Sequence, residues 1–120
     1  MEILFVGAGG AAGAALRYLI SLLPYKGTFP VLTLITNFLG AAAIGYIAGT
    51  AARKGMSEEA LLFLKTGLCG GFTTFSTFSL ESYDLIQTGR HAAAVVYMVL
   101  SVVLCLAGVA LGMLAARRAA

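Results

Sequence analysis

The residues best able to do chemistry lie in one stretch: Gly67-Leu68-Cys69-Gly70-Gly71-Phe72-Thr73-Thr74-Phe75-Ser76-Thr77-Phe78-Ser79-Leu80-Glu81. Hydroxyls alternate there with phenylalanines, and no charge falls between Lys65 and Glu81. At about 100° per residue, Phe72, Phe75 and Phe78 share an arc of about 120° on a helix, bordered by Ser76 and Ser79. Aromatic rings carry positive edges and negative faces. An edge-on ring beside hydroxyl donors replaces part of an anion's water shell without a fixed cation to trap it, as a conducted ion requires. Ordinary aromatic packing is the plainer alternative. The adjacent Gly70 and Gly71, followed by the β-branched Thr73 and Thr74, are poor helix material, so the spacing predicts a break. A break frees carbonyls around Gly70 to Thr73, which suit a small cation, while the N-terminus of the next half-helix suits an anion. A kinked helix healed by Ser and Thr side chains is the competing reading.

Other polar residues join this stretch from elsewhere in the chain. Asn37 sits inside an apolar run, with Thr33 one turn before it and Gly40 three residues after. Its amide either donates into the same path or glues helices together. Tyr97, Ser101 and Cys105 follow one another at single turns of a later run. Arg17 either snorkels to headgroups or gathers anions at a pore mouth. Glu81 stands at the far mouth or ends its helix as a solvated carboxylate. His91 is the only histidine and has no ligand cluster around it, so neither a metal site nor a catalytic triad can be assembled. Gly7-Ala8-Gly9-Gly10-Ala11-Ala12 matches a dinucleotide fingerprint, but no acid stands between Glu2 and Glu58 to hold a ribose, so packing explains it better. No enzyme is expected.

The elements that must position these residues follow from composition. The chain has 120 residues, 60% hydrophobic and 11% charged, with mean hydropathy +0.95. A soluble domain carries about 25% charged residues, and a core this small cannot hide such an apolar surplus. A membrane protein is expected, as one domain over 1–120. The net charge of +3 is scattered, which argues against nucleic acid as a partner. Cys69 and Cys105 read as buried hydrophobes and not as a disulfide. Four spans are expected, over 3–23, 31–52, 60–86 and 92–116, each near the length that crosses a hydrocarbon core of about 30 Å. The third is broken near mid-membrane. Met1-Glu2 lacks the basic start of a cleaved signal peptide. Four spans put Arg53, Lys54, Lys65, Arg117 and Arg118 on one side and Arg17, Lys26 and Arg90 on the other, five against three. So weak a bias permits insertion in both orientations, hence an antiparallel dual-topology homodimer, or a single topology. Gly9/Gly13, Gly45/Gly49 and Gly108/Gly112 are spaced for close helix contact.

These residues resemble the Fluc (CrcB-type) fluoride channel family. The likeness is carried by Gly9-Gly10-Ala11-Ala12-Gly13-Ala14-Ala15-Leu16-Arg17-Tyr18, by Gly27-Thr28 through Thr33, Asn37 and Gly40, and by the run Gly70 to Glu81. It covers essentially the whole chain. The resemblance implies an antiparallel homodimer in the inner (plasma) membrane, multi-pass, with two pores that export fluoride passively and so relieve its toxicity. Phe75 and Phe78 match the paired phenylalanines that face the ion, and Asn37 the pore asparagine. Ser76, Thr77 and Ser79 fall in the polar track, with Tyr97 and Ser101 on the fourth helix. If the family's second hydroxyl on that helix falls at Cys105, this sequence lacks it. Gly70 and Thr73 match the backbone carbonyls that hold a structural Na+ on the dimer axis, and Arg17 and Glu81 match vestibule residues. The rivals are a small multidrug transporter, which needs a mid-membrane carboxylate, and a non-transporting membrane scaffold.

Overall fold

Among the described residues, 1–119, the computed structural model is helical and carries no strand. The helices are α1 (Glu2–Ser21), α2 (Val31–Lys54), α3 (Glu58–Leu61), a π-helical segment (Leu62–Cys69), α4 (Gly70–Phe72), α5 (Phe75–Gln87) and α6 (His91–Arg118). Three of them, α1, α2 and α6, are long and apolar enough to cross a membrane. The expected third span is a chain of shorter pieces: α3, the π-helical segment and α4 run on from one another, and α5 resumes after a gap.

Local chemistry sets most boundaries. Pro30 precedes α2, where its missing N–H costs nothing. Ser57 caps α3, its hydroxyl accepting from the Ala60 amide at 3.1 Å. Gly55 (φ +78°) and Gly89 (φ +80°) take left-handed conformations just after α2 and α5, which a side chain would resist. The break falls at the threonine end of the expected stretch. Gly70 to Phe72 are helical, and the extended residues are Thr73 (φ −83°, ψ 157°) and Thr74 (φ −147°, ψ 112°). The adjacent glycines are contact points and not the breakers. A Cβ on Gly71 would lie 2.5 Å from the Gly10 carbonyl oxygen of α1.

Two glycine-lined seams organise the fold, each between elements running in the same direction. In the first, Gly9 and Gly13 of α1 face the π-helical segment and α4, where Gly67 and Gly71 repeat the same spacing. A Cβ on Gly67 would stand 2.7 Å from the Val6 carbonyl oxygen, and one on Gly13 2.7 Å from the Phe72 amide. The second seam joins α2 to α6. Gly45 meets Val109, Gly49 meets Ala116, and a Cβ on Gly112 would run into the Ala42 carbonyl and lie 2.7 Å from the Tyr46 amide. The Arg53 guanidinium also donates to the Ala119 carbonyl at 2.9 Å, tying the ends of α2 and α6 together.

Burial is inverted relative to a soluble domain. The buried face of α6 is Ala94, Tyr97, Ser101, Gly108, Gly112 and Ala116, small or polar residues recurring at helical spacing. Val95, Val99, Val102, Val103 and Leu106 point outward and are more than half exposed. In lipid, apolar surface gains nothing by leaving the solvent, so close backbone approach and internal hydrogen bonds do the joining. Gly112→Val is therefore expected to separate α2 from α6. The measurement is size-exclusion profile and thermal unfolding in detergent, with Gly7→Ala as control, since a Cβ there meets nothing within 4 Å. Equal stability of Gly112→Val and the parent would contradict this seam.

Candidate functional site

A helix broken inside a membrane leaves backbone groups that must find partners. Here α2 supplies them. The Asn37 Oδ1 accepts from the Thr74 amide at 2.8 Å, and its Nδ2 donates to the Thr74 carbonyl at 3.2 Å. One side chain thus pairs both polar groups of one backbone residue, as a neighbouring strand would. Thr74 also caps α5, its Oγ1 accepting from the Thr77 amide at 3.1 Å. Gly40, one turn after Asn37, has no side chain because the Thr73 Cγ2 occupies that space.

These contacts decide which carbonyls stay free. The amide four residues beyond Gly70 is that of Thr74, and Asn37 holds it. The amide four residues beyond Thr73 is that of Thr77, and the Thr74 hydroxyl holds it. Gly70 and Thr73 thereby lose their helical partners. Their neighbours are engaged: the Cys69 carbonyl accepts from the Thr73 amide at 3.0 Å and hydroxyl at 2.9 Å. The Gly71 carbonyl accepts from the Arg17 Nε at 3.2 Å. The arrangement offers two unclaimed carbonyls within one turn, a donor set suited to a small hard cation.

Beside the break lies a cavity of about 480 Å³ whose wall carries no charged side chain. It brings together Asn37, Gly70, Thr73, Phe75, Phe78 and Ser101. The Ser101 side chain is buried, and its Oγ has no hydrogen-bond partner. A smaller pocket of about 140 Å³ collects Arg17, Ser21, Thr36 and Thr77. Thr74 borders both, so the Asn37–Thr74 pair stands between a guanidinium-and-hydroxyl anteroom and an aromatic chamber. The rings form a ladder: Phe75 to Phe78 at 5.5 Å and 41°, then Phe78 to Tyr97 at 5.1 Å and 49°. Phe29 meets Tyr97 edge-on at 5.6 Å and 81°.

Other residues are placed differently from one another. Ser76 and Ser79 lie on the exposed face of α5, apart from either pocket, and the Ser79 hydroxyl donates back to the Phe75 carbonyl at 2.9 Å. Tyr97 is fully buried, and its hydroxyl is committed to the Glu81 Oε1 at 2.8 Å. The other oxygen of Glu81 accepts from the Thr33 hydroxyl at 2.9 Å. Glu81 is thus a half-buried, doubly paired carboxylate and not a solvated helix end. It borders a third pocket, of about 450 Å³, with Asp84, Arg90 and the loop residues Tyr25 and Gly27 to Pro30. Sequence reading passed over this Thr33–Glu81–Tyr97 cluster, because three residues on three helices share no spacing that would connect them.

Taken together, the molecule is a helical membrane protein with a discontinuous helix and a polar, aromatic chamber. The chain belongs to the family of CrcB-like (Camphor Resistance) proteins, whose model matches residues 4–113. A relative from Ruminiclostridium cellulolyticum, named as the fluoride-specific ion channel FluC, is 46% identical, with 98% of this chain and 93% of the relative covered. The namesake from Methylobacterium sp. (strain 4-46) is 47% identical over 90% of this chain and 88% of its own length. That of Methanococcus maripaludis is 44% identical, covering 95% and 94%. All three bear the name of a channel and not of an enzyme, in keeping with the expectation from the sequence.

The clamp on Thr74 yields a direct test. Asn37→Ala leaves the Thr74 amide and carbonyl unpaired, at a cost of about 1–3 kcal/mol for each buried group. Thermal unfolding in detergent should show a clearly lowered midpoint. An alanine variant as stable as the parent would mean that the break does not depend on Asn37.

Proposed function

We propose that this protein is a fluoride-selective channel that lets fluoride leave the cell passively across the plasma membrane and so relieves its toxicity. The observation that carries this reading is the uncharged chamber beside the break, which gathers the Asn37 amide, the rings of Phe75 and Phe78 and the unpartnered Ser101 hydroxyl. Relatives named as fluoride-specific channels, alike over most of the chain, supply the identity of the ion. Arg17 spends only its Nε on Gly71, so the remaining guanidinium donors are free to concentrate anions in the anteroom with Thr36 and Thr77. From there a fluoride ion passes Thr74 and exchanges water for amide, hydroxyl and ring-edge contacts. None of these carries a full charge, so binding is shallow enough to release the ion. Ser76 and Ser79, on the exposed face of α5, extend the polar track where a second copy covers that face. Thr33, Glu81 and Tyr97 form the far vestibule.

The assembly in this reading is an antiparallel homodimer, each chain spanning the membrane four times with the α3–α5 segment as its third crossing, and two pores per dimer. The free carbonyls of Gly70 and Thr73 face their counterparts near the dimer axis and hold a structural Na+. A proton-coupled transporter would need an embedded carboxylate that binds and releases protons at mid-membrane. Glu81, the candidate, is already bonded through both oxygens and opens on the loop-side pocket, which favours the channel.

Two outcomes test the proposal. In a bacterium deprived of its own fluoride export, the chain should restore growth in fluoride medium. Phe75→Ile and Phe78→Ile should each lose that protection at equal membrane levels, since apolar volume is kept while the ring edges vanish. Protection retained by both single variants would rule out the phenylalanine path. Replacing Na+ by Li+ should also weaken the dimer on size exclusion and silence efflux. Unchanged dimer and flux in Li+ would remove the sodium site and leave the chamber standing.

A further inference from the structure

Two thiols border the larger chamber, and neither sulfur takes part in the hydrogen bonding described above. Cys69 closes the π-helical segment and is 4% exposed; Cys105 lies on α6 and is half-buried; both are free. Cys105 stands one helical turn beyond Ser101, so the two side chains lie on the same face of α6. Ser101 is itself 7% exposed, and its Oγ is an orphan. The wall beyond them is apolar, made by Ile44 and Val109. A buried hydroxyl without a partner marks a spot where a small guest gains a hydrogen bond. The adjoining thiol is soft and polarisable, and the apolar wall admits neutral molecules more readily than charged ones.

We propose that Cys105 is a modification site at which small, neutral thiophiles plug the chamber, while Cys69 is shielded from them. The proposal rests on the channel reading for its effect on flux, but not for the chemistry. With methyl methanethiosulfonate as the probe, the thiolate of Cys105 attacks the sulfenyl sulfur and the reagent's S–S bond breaks. A mixed methyl disulfide forms, methanesulfinate leaves as the anion, and the thiol's proton has gone to the buffer. The added thiomethyl group sits beside Ser101 in the space an ion would use. Dithiothreitol reverses the step by thiol–disulfide exchange.

The test uses the full-length protein in liposomes, treated with the reagent and measured for efflux and by mass spectrometry with peptide mapping. Each variant is scored as its own treated-to-untreated ratio. The parent and Cys69→Ser should each gain one adduct on Cys105 and lose flux by about ten-fold or more, restored by dithiothreitol. Cys105→Ser should keep its ratio near unity. An adduct on Cys69 in place of Cys105, or none on the folded protein, overturns the site. A full adduct on Cys105 with undiminished flux overturns the block. Untreated parent without flux defeats the channel reading, and peptide mapping then still decides whether Cys105 is the accessible thiol.

Discussion

The fold turns on one side-chain-to-backbone pairing. A polypeptide in hydrocarbon has no water to satisfy a stray N–H or C=O, so a helix can be interrupted only where protein replaces the lost bonds. Asn37 replaces them at Thr74, accepting from the amide and donating to the carbonyl. Without it the Thr74 amide and carbonyl would be left unpaired in the membrane. With it, the chain turns extended for two residues, α5 restarts on its own cap, and Gly70 and Thr73 border the chamber. One polar residue in an apolar helix thereby determines where another helix ends.

The rest of the structure holds α2 and the break in contact. Gly40 gives Thr73 the room to press against α2, and Thr33, two residues into α2, reaches the Glu81 carboxylate on α5. α2 therefore touches both halves of the discontinuous helix and acts as its template. Behind it, the seam with α6 fixes the height at which Ser101 faces the chamber. On the other side α1 rests on the glycines of the π-helical segment and α4, and Arg17 claims the Gly71 carbonyl. Each contact removes a backbone or side-chain group from competition, and what remains unclaimed is the chamber lining. Large aliphatic side chains are displaced to the outside, where lipid meets them.

Much of this was legible in the sequence, for identifiable reasons. The apolar runs of α1, α2 and α6 are long and almost free of charge, so both their existence and their length follow from the bilayer. The glycine spacings on α1, α2 and α6 marked surfaces that do come together. The Phe75–Phe78 pair, Asn37 and Ser101 were singled out by type and position, and the fold gathers them at one cavity. The break lies at the threonine end of the stretch read as poor helix material, while Gly70 and Gly71, read for helix propensity alone, stay helical. Tertiary contact with α1 rewards their smallness instead, and the β-branched Thr73 and Thr74 yield. The π-helical register of Leu62–Cys69 has no counterpart in residue pattern. Glu81 was read from its own helix alone, and its partners Thr33 and Tyr97 come from others.

The central claim, an uncharged path that passes fluoride and refuses larger anions, is tested most directly by efflux from liposomes containing the purified protein. A fluoride electrode and then a chloride electrode follow release, with a potassium ionophore collapsing the voltage. The account predicts rapid fluoride release with little chloride release. Well-folded protein that releases neither ion, or both alike, would contradict it.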